Sequence, residues 1–102
     1  MFRHVVMFKW KQDATNEQRA AAVAGLRSLP GHVPQVRSFV LGEDVKITEG
    51  TFDAVIVVDF DSADDYLLYR DHPHHRALVR DVTSPIIESR SVVQHELTLQ
   101  DL

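Results

Sequence analysis

Apolar side chains recur along this chain at two different intervals. From Phe2 to Trp10 the interval is two: Phe2, His4, Val6, Phe8 and Trp10 share one face, and Arg3, Val5, Met7 and Lys9 the other. Aromatic and β-branched residues in such alternation predict a strand, with the even face the more apolar. Thr15-Asn16-Glu17-Gln18 then fits a capping box, a hydroxyl at the N-cap with Gln three residues on. From there the interval is helical. Ala22, Val23, Leu26 and Leu29 form an inner stripe, Arg19 and Arg27 lie off it, and Pro30-Gly31 ends it. Gly25, in mid-helix, costs roughly 1 kcal/mol against Ala and is compatible with close packing.

Residues 35–42 return to period two, with Val36, Ser38 and Val40 opposite Arg37, Phe39 and Leu41. A polar connection, 42–50, leads to the strongest strand pattern, 52–60. There Phe52, Ala54, Ile56, Val58 and Phe60 share one face, and Val55 and Val57 the other, with Asp53 and Asp59 towards its ends. Ser62-Ala63-Asp64-Asp65 resembles another helix cap, and a short helix should run to about Arg70. His72-Pro73 interrupts it. Proline suits the first turn of a new helix, so His72 is expected to cap a second short helix over about 74–82, bounded by Pro85. Residues 89–97 read as the last strand.

The order is β-α-β-β-α-β with its second helix broken, the ferredoxin-like split βαβ arrangement. The fold class is α+β, with an antiparallel four-stranded sheet, and a single domain is expected over residues 1–102. The helices cover one sheet face. By parity Val5, Met7, Phe39, Leu41, Val55, Val57 and Val92 point to the other, for which no chain remains. A second copy of the sheet is the simplest cover, so the pattern predicts a homodimer packed sheet to sheet.

Composition narrows the function. The chain has 102 residues, 44% of them apolar, and a net charge of −4, which argues against a general nucleic-acid binder. It has no cysteine, so disulfides, thiolate metal sites and a cysteine nucleophile are excluded. No apolar run is long enough to span a membrane. The N-terminus enters a strand pattern without the regions of a signal peptide, and a cytoplasmic protein is expected.

Six histidines are many for this length, and three stand in His72-Pro73-His74-His75. His75, Leu78, Val79 and Val82 follow helical spacing, which puts His75 on the buried stripe. His4 shares the face of Val6 and Phe8. If that face takes the helices, His4 and His75 approach one cavity from opposite walls, and Tyr69 reaches its rim. A core histidine bonded to a backbone carbonyl is one reading of His75. A general base titrating near neutrality is the other. In the second, His75 abstracts a proton, Tyr69 holds a carbonyl or enolate oxygen and His4 orients the ligand. Val6, Phe8, Val23, Leu26, Ile56, Leu78 and Val79 are the expected apolar lining. His72, His74 and His75 do not converge as an i, i+4 pair would, so no metal site is expected. The acidic run Asp59, Asp61, Asp64 and Asp65 reads as capping and dipole complementarity.

The opening His4-Val5-Val6-Met7-Phe8-Lys9-Trp10-Lys11 resembles that of stress-responsive A/B barrel (Dabb) domains. So do Gly25-Leu26-Arg27-Ser28-Leu29-Pro30-Gly31, Val36-Arg37-Ser38-Phe39 and Val57-Val58-Asp59-Phe60-Asp61-Ser62. Tyr69-Arg70-Asp71-His72-Pro73-His74-His75 is similar to that family's Tyr-x-x-His-Pro-x-His segment. The resemblance runs over about residues 3–97 and implies a homodimeric α+β barrel of two ferredoxin-like subunits. The family includes stress-associated proteins without an assigned reaction, and also olivetolic acid cyclase, which closes a linear polyketide by an aldol condensation without a cofactor. Carried over, the resemblance implies that His75 is the base, with Tyr69 and His4 as its companions, and that no cofactor is needed.

Three readings remain open. The first is a dimeric barrel that binds a small, mostly apolar or aromatic molecule, with acid/base chemistry such as polyketide cyclisation. The second is a non-catalytic stress-associated binding or structural module. The third, from fold analogy alone, is a cofactor-independent monooxygenase.

Overall fold

The computed structural model describes residues 1–98 and residue 100. β1 (Phe2–Trp10) leads into α1 (Asn16–His32), then β2 (Ser38–Glu43), β3 (Ala54–Phe60), α2 (Ala63–Asp71), α3 (Pro73–Leu78) and β4 (Ile87–Glu96). The strands form one antiparallel sheet in the order β2-β3-β1-β4, the ferredoxin-like arrangement. β1 is therefore hydrogen-bonded on both sides. Val6 stands opposite Ile56 and Val92, and His4 opposite Val58 and Gln94.

The capping box forms at both of its bonds. The Gln18 N–H donates to Thr15 Oγ1 (3.1 Å), and the Thr15 N–H donates to Gln18 Oε1 (2.8 Å). At its far end α1 runs three residues beyond the expected stop at Leu29, through Pro30 and Gly31 to His32. Pro30 gives up the N–H that would bond the Leu26 carbonyl, yet the helix continues for two residues and Val33 closes it by donating to the Leu29 carbonyl (2.9 Å). α2 is capped by Ser62, whose Oγ accepts from the Asp65 N–H (3.2 Å). His72 caps α3 as expected, its Nδ1 accepting from the His74 N–H (3.1 Å), with Pro73 in the first turn. The second helix does not stay α-helical to residue 82. After Leu78 it widens into a π-helical turn, Val79–Thr83, closed by the Ser84 N–H on the Val79 carbonyl, and then tightens into a 3₁₀ turn, Ser84–Ile86.

Helices α1 to α3 cover one face of the sheet. Val6, Phe8, Ile56, Val58 and Phe60 meet Leu26, Leu29, Val33, Tyr69 and Leu78 in a single core. Two assignments of strand face change. Phe39 and Leu41 pair with Val58 and Ile56, which puts them on the helix side rather than the open one; Val40, opposite Val57, takes their place there. Likewise Val92, opposite Val6, lies on the helix side, and Val93, opposite Val5, on the open side. The parity of a strand read alone does not say which way it enters the sheet; only pairing decides that. β2 and β3 also begin later than their patterns, at Ser38 and Ala54.

On the open face Asp59 ties three strands together. Arg3 donates to it through Nε (2.7 Å) and Nη2 (2.9 Å), and Ser38 Oγ donates as well (2.8 Å). These donors, Arg3 first, hold the nearly buried Asp59 carboxyl below its usual range, against the opposing effect of burial.

α3 lies against α1 at Gly25. A methyl group there would collide with Leu78 Cδ1, and Leu78 is itself buried in the core. Ala at position 25 gains about 1 kcal/mol of helix propensity, but overpacking a filled core costs about 1–3 kcal/mol. Gly25→Ala should therefore lower stability by about 1 kcal/mol in denaturant melts, and adding Leu78→Val should restore most of the loss. A rise in stability for Gly25→Ala alone would show that Leu78 swings aside freely.

Candidate active site

β1 sends His4, Val6 and Phe8 towards the helices, and the short α3 brings His75 over them. Between lies a cavity of about 360 Å³, towards the small end of ligand sites. Its apolar wall comprises Val6, Phe8, Leu26, Ile56, Val79 and Ile87, and its polar wall His4, Tyr69, His75, Thr83, Ser84 and Arg90. Of the apolar residues expected here, Val23 and Leu78 do not line it. Val23 faces a separate groove beside α1, and Leu78 fills the contact with Gly25. Thr83, Ser84, Ile87 and Arg90 were not singled out by the sequence. The hydroxyls enter from the π turn and the residue after it, and Arg90, on the same face of β4 as Val92, is brought to the cavity by the pairing of β4 with β1.

The two imidazoles are held in opposite hydrogen-bonding senses. His75 Nδ1 lies 3.0 Å from the Arg70 carbonyl, which can only accept, so the ring carries its proton on Nδ1 and leaves Nε2 with a free lone pair. The Gln94 amide Nε2 donates to His4 Nδ1 (3.1 Å), so His4 carries its proton on Nε2. One ring is a base and the other a donor. His4 is 6% exposed, and burial, with the charges of Arg90 and His75 adding to it, lowers its pKa from 6.5 to about 4. The half-buried His75 is also lowered, chiefly by burial and against the opposing bond to Arg70. Both are neutral at pH 7.

Tyr69 was expected at the rim, but it is 1% exposed and belongs to the core. It sits at the inward-facing end of α2, its ring 4.5 Å from that of His75 and 5.1 Å from that of Phe60. Its hydroxyl is buried without a hydrogen-bond partner among the described residues. Burial pushes the phenol above its ordinary pKa, so it remains a protonated donor. Leaving such a group unpaired costs about 1–3 kcal/mol.

The other histidines of the segment have structural work. His72 is a helix cap, and His74 stacks on His32 at 3.7 Å between ring centres. Among the described residues no group of three His, Cys, Asp or Glu is placed to hold a metal ion. A further hollow of about 460 Å³, lined in part by Met7, Gly42, Phe52 and Val55, opens on the face without helices and contains no imidazole.

The family model for the Stress Responsive A/B Barrel Domain (Dabb) matches residues 2–97. The chain belongs to the Dabb family. No curated protein sequence matches it. Among solved structures, a dimeric ferredoxin-like protein of unknown function from Thermobifida fusca is 31% identical. That match covers 94% of this chain and 90% of the other, with a TM-score of 0.85. A Dabb family protein from Mesorhizobium loti is 21% identical over 95% of this chain and 96% of its own, with a TM-score of 0.80. The hydroxynitrile lyase of Passiflora edulis is 19% identical over 96% of this chain and 94% of its own, with a TM-score of 0.84. At these last two identities the likeness is one of fold. Among the described residues no helix of this Dabb domain is long and apolar enough to cross a membrane.

The buried imidazoles make folding pH-dependent. An unfolded chain protonates His4 near pH 6.5, whereas the folded one resists until about 4. The stability this contributes is present in full above pH 6.5 and is lost as pH falls towards 4, up to about 3 kcal/mol for His4. His75 and His74 act in the same direction. Urea titrations at pH 7 and pH 4.5 should show that loss, and His4→Gln should reduce it. Equal stability at the two pH values would show that His4 is not buried as described.

Proposed function

We propose that this Dabb domain binds a small, mostly apolar carbonyl compound between its helices and sheet and moves a proton on it, as an aldol-type cyclisation requires. The observation that carries this reading is the pair of imidazoles on one apolar cavity, with a lone pair on His75 Nε2 and a proton on His4 Nε2. His75 takes the proton from the carbon next to the carbonyl. The Tyr69 hydroxyl, which has no partner of its own, donates to the oxygen that gains charge. His4 donates to a second oxygen and fixes the ligand's orientation. Base and acid do not exchange roles at pH 7, because the phenol is raised and both imidazoles are lowered.

The working unit in this reading is a homodimer in the cytoplasm. The open face of the sheet carries Val5, Met7, Val40, Val55, Val57 and Val93, of which Val40 is 60% exposed and Val93 61% exposed. A second sheet would bury them, and the 31%-identical Thermobifida fusca relative is described as dimeric. Sedimentation at low micromolar concentration should give a species of twice 11.6 kDa. Val57→Asp should dissociate or unfold it, since an unpaired charge in an apolar interface costs several kcal/mol. A single monomeric species for the unmodified protein would overturn the dimer.

Proton abstraction can be tested without knowing the natural substrate. Phenylacetone in D₂O should exchange its α-hydrogens faster in the presence of the protein, followed by NMR. His75→Gln should slow the catalysed exchange by about 10²–10⁴-fold, Tyr69→Phe by less, and His4→Gln should mainly weaken ketone binding. Ketone binding without exchange would make the domain a non-catalytic binding module. A loss of thermal stability in His75→Gln without loss of exchange would reduce His75 to a core histidine.

A further inference from the structure

The mouth of the cavity carries far more positive charge than the chain as a whole. Beside the inner cavity, sharing His4, Tyr69, His75 and Arg90 with it, lies a vestibule of about 410 Å³ walled also by Arg70, Arg76, Arg80 and the carboxylate of Asp71. Two of these are neutralised locally: Arg70 is held by Asp71 (2.9 Å) and Arg80 by Asp81 (2.8 Å). Arg76 and Arg90 form no ion pair among the described residues, in a protein whose net charge is −4. Arg90 belongs to both the vestibule and the inner cavity. It stands on β4 opposite Phe8, at the junction of polar mouth and apolar wall.

We infer that the ligand is an amphiphilic oxyanion, its apolar body in the inner cavity and a carboxylate or phosphate head on Arg90 and Arg76. This names the substrate class of the site proposed above and rests on that reading. A guanidinium forks onto two oxygens of such a head; Arg76 already feels the charge of Asp71, so Arg90 is the cation on which an anionic head gains most over a neutral ligand of the same shape. The arrangement also couples binding to chemistry. The Arg90 charge is among the causes that make His4 and His75 poorer bases. A bound anion offsets that charge, so the ligand itself raises the basicity of the group that acts on it.

Octanoate, octyl phosphate and 1-octanol separate the alternatives by calorimetric titration at low ionic strength. Both anions should bind about tenfold or more tightly than octanol, and the preference should shrink at high salt. Arg90→Gln should remove most of the preference; Arg76→Gln, outside the inner cavity, should remove part of it. The imidazole pKa values of His4 and His75 by NMR should rise with octanoate and not with octanol. A preference for one anion over the other identifies the head group as carboxylate or phosphate. Equal affinity for anions and octanol overturns the oxyanion, and a preference that survives both substitutions overturns its seat on Arg90 and Arg76; either result leaves the cavity reading intact. Binding of none of the three overturns the cavity reading and this inference with it.

Discussion

The position of one strand determines everything else in this molecule. β1 is bonded to β3 on one side and β4 on the other, and that double pairing fixes which of its side chains look inward. A slip of one residue would turn His4, Val6 and Phe8 to the open face and put Arg3, Val5 and Met7 under the helices. The slip is opposed at two places. Inside, Val6 and Phe8 are nearly fully buried. Outside, the Arg3–Asp59–Ser38 network matches only in the observed register. The open-face network thus guards the geometry of a cavity it never touches.

Much of this was legible in the sequence because it depends on short-range chemistry. The capping box at Thr15, the cap at His72 before Pro73 and the inward face of β1 come from residues a few positions apart. The dispositions that had to await the structure depend on long-range pairing. Phe39, Leu41 and Val92 sit on a face that their own strands could not disclose, because period two fixes a strand's two sides and not which side meets the helices. Of the candidate site, His4 and His75 were placed on one cavity by periodicity alone, and the structure brings them there. Tyr69 lines both hollows but lies deeper than a phenol at a helix end commonly does, because Phe60, His75 and Tyr66 surround it. Arg90 escaped because the face of β4 was itself misassigned.

The cavity concentrates opposed demands in a small volume. Apolar walls keep the imidazoles neutral, which suits a base waiting for a proton, and the same walls make every polar group there dependent on a partner. His75 and His4 have fixed partners for one nitrogen each, supplied by a backbone carbonyl and a side-chain amide. Tyr69 has none. The two rings are therefore fixed by their partners, while the phenol hydroxyl is folded away without one among the described residues.

The widened turn at Val79–Thr83 bears on how such a domain could change its chemistry over time. It lies between the helix that carries His75 and the strand that carries Arg90, and it sets the direction from which Thr83 and Ser84 enter the cavity wall. Removing one residue would rewind the turn into an α-helix and rotate the chain beyond it by about 100°. The hydroxyls would be carried off while β1 and His75 stayed in place. Single-residue insertions and deletions in this one segment would then let lineages of the same fold alter the lining of the cavity without moving His4 and His75.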